Sequence, residues 1–281
     1  MLGITQGDLD LVLSDAETGI ADSNLGFFSK PYRIDYKGQQ LIVKKYLPVR
    51  DAEFVSGIVE NHDRYIRVLR NAGIKVPDTL ITTRHVNGKF QIIIIQEAFR
   101  KDELLRNLAE TSSESELLKL CSLIFDDTIK FLKNGYESMK TGFHPTLRNY
   151  ALHDGSLFYF DTFPPMLMGQ RELNKIILRM SPFGSFFKKI IPLNLINRVS
   201  DEYYYFDKMF KGIAGSCCRL RPEYADAVLR FGIDYINNSP CSQAEKHKIT
   251  AFLQSPPDLP VLWTFIRKLS GNVGKPNIRK L

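Results

Sequence analysis

The sequence predicts an α+β protein in two unlike parts: a β-rich first third carrying one helix, and a mainly helical remainder that holds one small β-hairpin. Three observations predict it. Before residue 98, two pairs of strand-like segments each flank a tight-turn dipeptide. A stretch of near-helical apolar spacing separates the pairs, and beyond residue 102 helical spacing dominates except at 150–160. A chain of 281 residues exceeds the usual size of a single core. We place the two lobes at 1–98 and 99–281.

In order, Pro31 to Tyr36 alternates, Lys37-Gly38 turns, and Gln40 to Tyr46 follows as the second strand of a hairpin. Asp51 to about Asn71 reads as a helix, with Asp51 as cap and Phe54, Ile58, Tyr65, Ile66 and Leu69 at near-helical spacing. Gly73 ends it and Pro77 prevents its resumption. Leu80 to Thr83, the Asn87-Gly88 turn and Phe90 to Gln96 make a second hairpin. Ser115 to about Lys133 is an amphipathic helix, and further helices are expected at 170–180, 200–213, 222–237, 243–254 and 259–269.

The apolar fraction of 44% and the charged fraction of 25% exclude a disordered chain. The net charge of +7 is spread over helical regions and the tail Lys275, Arg279, Lys280. No nucleic-acid motif or basic–aromatic array accompanies it, so a solvated surface is the expectation. Four cysteines, two of them the adjacent Cys217 and Cys218, form neither a disulfide framework nor a zinc-ligand spacing. The acidic N-terminus (Asp8, Asp10, Asp15) lacks a signal-peptide pattern, and the longest apolar run, Ile92 to Ile95, is far too short for a bilayer. A cytoplasmic chain without a membrane span is expected.

The most informative stretch is 149–161. Tyr150-Ala151-Leu152 and Leu157 to Phe160 flank a polar turn, His153 to Ser156, so a hairpin brings its polar ends Asn149 and Asp161 together. An amide oxygen beside a carboxylate suits Mg²⁺, a hard cation that takes oxygen ligands and completes its shell with water and phosphate. The plainer alternative is a surface hairpin with polar ends.

With the order of elements added, the chain from about Gly19 to Pro165 resembles the protein kinase-like superfamily, in particular its aminoglycoside-phosphotransferase-like branch. The resemblance implies a two-lobed fold that uses ATP and Mg²⁺. Leu41-Ile42-Val43-Lys44 is similar to the strand whose lysine contacts the nucleotide phosphates, with Lys45 as the alternative; alternation places Lys44 on the face of Ile42 and Tyr46. The family pairs that lysine with a glutamate of the following helix, for which Glu60 is the first candidate and Glu53 the second. Ile92 to Phe99 resembles the strand leading to the hinge. Asn149 and Asp161 fall on the two metal-ligand positions.

Three departures stand out. His144 occupies the position of the catalytic aspartate, five residues before Asn149, where it either orients the acceptor or serves packing. Of the glycine-rich loop, Leu25 to Lys30 keeps Gly26 alone, with Ser29 or Lys30 to compensate. Asp161-Thr162-Phe163-Pro164-Pro165 replaces the family's Asp-Phe-Gly turn. Three readings stay open. The first is an atypical ATP–Mg²⁺-dependent phosphotransferase with an unidentified small-molecule or protein acceptor and with His144 or Arg148 near it. The second is a nucleotide-binding or inert pseudokinase acting as an interaction protein. The third is a helical scaffold using the C-terminal half, with Trp263 and the basic tail.

Overall fold

Three Xaa-Gly turns organise the β structure in this computed structural model, which describes residues 2–18, 28–137, 140–180 and 193–254. Lys37-Gly38, Asn87-Gly88 and Asp154-Gly155 all adopt positive φ, from 47° to 79°. Two-residue hairpin loops with both residues in that region match the right-handed twist of the strands they join. The strands are β1 (Pro31–Tyr36), β2 (Gln39–Lys45), β3 (Thr79–Val86) and β4 (Lys89–Glu97), in one antiparallel sheet of order β1-β2-β4-β3.

A helix covers each face of that sheet. Helix α1 (Gln6–Thr18), not expected from the sequence, packs Leu9, Val12, Leu13 and Ala16 against Leu41, Val43, Ile93 and Ile95. On the other face, α2 (Ala52–Asn71) packs Val55 and Ile58 near Tyr46, Ile81, Ile92 and Ile94. β4 therefore has no solvent side, which accounts for four consecutive isoleucines where a one-sided strand would alternate. Asp51 caps α2 by accepting from the Phe54 amide at 2.9 Å, as expected from its sequence position.

The second part opens with α3 (Leu105–Thr111) and α4 (Glu114–Asn134). A capping box between Ser113 and Glu116 starts α4. A 3₁₀ turn (Leu147–Asn149) leads into the hairpin β5 (Tyr150–His153) and β6 (Ser156–Tyr159). Then follow α5 (Gly169–Met180), α6 (Leu193–Tyr204), α7 (Phe206–Leu220), α8 (Ala225–Asn238) and α9 (Gln243–Phe252).

The helix expected at 200–213 is two helices. The Tyr203 carbonyl accepts from the Phe143 amide at 2.8 Å and the Tyr204 carbonyl from the Tyr136 hydroxyl at 3.0 Å. With those acceptors taken, α6 stops and Tyr205 turns extended before α7 begins. Pro222 starts a 3₁₀ turn, and α8 proper begins at Ala225. The helix expected at 259–269, Trp263 and the basic tail lie outside the described residues.

One core joins α2, α4, the hairpin and α7–α9, around Tyr65, Phe125, Phe131, Phe143 and Phe210. Cys121 of α4 faces Cys217 of α7 at 3.2 Å as a buried free thiol pair. No helix among the described residues is long and apolar enough to cross a membrane.

Candidate functional site

Sheet register places Lys44. β2 sets Ile42 opposite Gln96 and Lys44 opposite Ile94, so Lys44 and Gln96 are diagonal neighbours on the α2 face. The Lys44 ammonium donates to Gln96 Oε1 at 2.9 Å and to the Phe160 carbonyl, 116 residues away, at 3.4 Å. Both partners are neutral. Burial lowers the Lys44 pKa, and the charge of Asp161 pulls it back up. Lys45 points to the opposite face, where it donates to the Ala16 carbonyl at 3.2 Å and lies 4.8 Å over the Tyr32 ring. The two lysines left open by the sequence thus serve different faces.

The hairpin places the oxygen donors. Tyr150 pairs with Tyr159, and the Phe160 amide donates to the Asn149 carbonyl at 3.0 Å, which leaves Asp161 one residue beyond the last pair. Asn149 is buried, and its amide nitrogen donates to the His144 carbonyl at 2.8 Å and lies 3.2 Å from His144 Nδ1. Both amide hydrogens are therefore committed, while Oδ1 accepts no hydrogen bond among the described residues. Asp161 is half-buried, and its carboxylate has neither a hydrogen bond nor an ion pair among them. Burial and then the Asp161 charge push the Tyr46 phenol well up.

His144 is buried, with its ring 4.3 Å from that of Tyr203. Burial first, and the Arg148 charge second, hold its pKa well below the usual imidazole value. An amide nitrogen only donates, so Nδ1 of the neutral ring accepts from Asn149 and the ring proton sits on Nε2. Arg148 is half-buried on the 3₁₀ turn and forms no hydrogen bond or ion pair among the described residues.

The carboxylate expected opposite Lys44 is not there. Val55, Ile58, His62, Tyr65, Ile66 and Leu69 are the buried stripe of α2. Glu60 is two residues from both Ile58 and His62, about 200° around the helix, and is exposed. Glu53 is exposed too, on the rim of a separate pocket of about 340 Å³ between α2 and α5. The residue α2 turns inward is His62, fully buried, with Nε2 2.9 Å from Thr162 Oγ1. Burial and the nearby Lys44 charge lower its pKa to about 3.

His62 completes the i, i+3, i+4 spacing from Ile58 to Tyr65 and Ile66. A polar residue on that stripe was the available signal. Ser29, expected near phosphate, donates to the Lys30 carbonyl at 3.2 Å, and Gly26 lies outside the described residues.

One amide oxygen and one carboxylate with no hydrogen-bond partner among the described residues fit Mg²⁺, which needs few protein ligands when phosphate and water supply the others. Among the described residues no cluster of three or more His, Cys, Asp or Glu offers a denser metal site.

The fold is α+β, with a buried lysine on the central sheet bonded to Phe160 at the end of a hairpin in the helical part. The chain belongs to the DUF6206 family, a family of unknown function, which matches residues 11–274. No curated protein matches it. Among solved structures it is similar to the MAP kinase LmaMPK10 from Leishmania major, at 11% identity and a TM-score of 0.33, over 95% of this chain and 88% of that one. It is also similar to the proinflammatory kinase CtkA of Helicobacter pylori, at 13% identity and a TM-score of 0.31, over 81% of this chain and 87% of that one. Likeness at scores this low carries no argument about function.

Proposed function

We propose that this chain is a kinase-like nucleotide-binding protein that holds ATP with Mg²⁺ between its lobes, 1–98 and 99–281, and transfers the terminal phosphoryl group to an acceptor of unidentified class. The observation that supports the reading is the Lys44 bond to the Phe160 carbonyl, since Phe160 precedes Asp161, whose charge acts on the lysine, and donates its amide to the Asn149 carbonyl. Among the described residues the hydrogen bonds of Lys44 go to neutral acceptors, so its charge is offset only by the nearby Asp161 and is available to an anion. Asp161 and Asn149 Oδ1 keep their lone pairs for a cation. Mg²⁺ bound there supplies charge neutralisation on the phosphate oxygens, the main electrostatic need of phosphoryl transfer.

Each residue then has a task. Lys44 grips the phosphates, Asn149 is locked by His144 with its oxygen presented, and Asp161 supplies the fixed negative charge. Arg148, half-buried and without a hydrogen bond among the described residues, meets the acceptor or the transferring group.

A second reading has its own observation. With Nδ1 engaged by Asn149 and the proton on Nε2, His144 donates rather than accepts a proton, so its position supplies no base. A protein that binds nucleotide without transferring phosphate follows from the same geometry.

Calorimetry with ATP, with and without Mg²⁺, tests the shared core of both readings. Metal-tightened binding is expected, and at one hundred times the dissociation constant it adds about 2.7 kcal/mol to stability. Asp161→Ala is expected to remove the metal-dependent part. A flat response at millimolar ATP sinks both. Labelled-phosphate transfer across an acceptor panel then separates them.

A further inference from the structure

We infer that His62 is a positioning residue for Asp161, holding the Asp161–Thr162 segment to α2 through the Thr162 hydroxyl in place of an α2 carboxylate paired with Lys44. The inference rests on the nucleotide-and-cation reading for its consequence, and on the contacts of His62 and Thr162 for its geometry.

The contact joins two fully buried side chains, His62 and Thr162, from elements 100 residues apart. Thr162 follows Asp161 directly, so fixing its side chain restricts the backbone that aims the carboxylate. On the other side, Phe163 packs its ring 3.9 Å from that of Tyr46, the residue that follows β2. Thr162 is thus the polar tie and Phe163 the apolar one between the metal-binding segment and the first part of the chain.

The imidazole is costly where it sits. Nδ1 is buried without a hydrogen-bond partner among the described residues, and an unsatisfied buried polar atom destabilises a fold. A leucine or methionine at this point of the stripe would bury without that penalty. What the imidazole adds over them is the Thr162 hydrogen bond. Being neutral, it also leaves Lys44 no fixed counter-ion on α2, so the lysine's charge is shared between Asp161 and whatever anion enters.

Three variants test this: His62→Leu, which packs without the bond; Thr162→Val, which removes it from the other side; and His62→Gln, whose amide reaches toward the same hydroxyl. The first two are expected to weaken Mg²⁺-dependent tightening of ATP roughly 10–100-fold, as loss of a hydrogen-bond partner behind a metal ligand does. ATP binding without metal should stay at the wild-type level. His62→Gln should retain most of the tightening, and the Leu/Val double variant should be no worse than either single one.

Hydrogen exchange at the 161–163 amides of the ligand-free protein gives an independent reading, faster in His62→Leu and Thr162→Val than in wild type or His62→Gln. If the wild-type chain binds no nucleotide, the proposed function fails while this exchange measurement still decides the positioning role. Folded His62→Leu and Thr162→Val proteins with wild-type exchange and wild-type metal tightening would overturn it.

Discussion

Asn149 commits both hydrogens of its amide to His144, one to the carbonyl at 2.8 Å and one toward Nδ1 at 3.2 Å. The histidine that replaces the expected aspartate thus acts first on the neighbouring oxygen donor. His144→Ala removes one of the two bonds and leaves the backbone carbonyl. The expected result is a loss of about 1 kcal/mol in metal-dependent ATP affinity, the worth of one hydrogen bond. Titration calorimetry checks it, and any transfer activity should show no pH limb near 6.5, because His144 is already neutral there.

Acid sensitivity follows from His62. Its pKa is about 3 in the folded chain against 6.5 for a free imidazole. Below 6.5 the unfolded chain binds a proton that the native one refuses, so stability falls as pH drops from 6.5 toward 3. The slope is at most about 1.4 kcal/mol per pH unit for one such group. His144, also depressed, adds a term of the same sign. His153 acts oppositely: its bond to Glu103 raises its pKa, so its contribution is lost as pH rises through that value, but it is 39% exposed and solvent screening keeps the effect small. Urea unfolding at pH 7, 6 and 5 should show the fall, and His62→Gln should flatten it. An unchanged slope in that variant would mean that His62 is not buried neutral.

The loop before His144 has no room for a side chain. A Cβ on Gly142 would come within 3.0 Å of both the Tyr203 carbonyl oxygen and the Tyr204 ring. Backbone cannot yield as a flexible side chain can, so Gly142→Ala should destabilise by about 1–3 kcal/mol, the usual cost of overpacking. Thermal unfolding measures this.

Lys44 and Lys45 are neighbours with opposite expected phenotypes. Lys45→Ala removes a bond to the last turn of α1 and a ring contact, at a cost of about 0.5–1 kcal/mol in stability, with ATP affinity unchanged. Lys44→Ala should abolish ATP-induced stabilisation. Equal effects of the two on nucleotide binding would contradict the assignment of faces.

Much of the fold was legible because its signals are local. Asn87-Gly88 and Asp154-Gly155 sit at positive φ, and Asp51 announces α2 by the bond its carboxylate can make. α1 escaped notice because its apolar stripe of Leu9, Val12, Leu13 and Ala16 is diluted by acidic residues. Only the consecutive isoleucines of β4, apolar on both sides, hinted at a second cover. The break at Tyr205 was invisible, since it depends on carbonyls taken by Phe143 and Tyr136. Spacing and resemblance single out Lys44, Asn149 and Asp161 as candidates. Residue type points to Glu60, whereas the rotation of α2 exposes it and turns His62 inward.

The two-sided cover of β4 has a practical consequence for anyone handling the chain. Residues 2–18 look dispensable, being short, acidic and remote from Asp161. Trimming them would strip the cover from Leu41, Val43, Ile93 and Ile95 and present a contiguous oily strip to water. Such a shortened version should clump or fail to express, and its silence in an ATP assay would say nothing about the site on the opposite face of the same sheet.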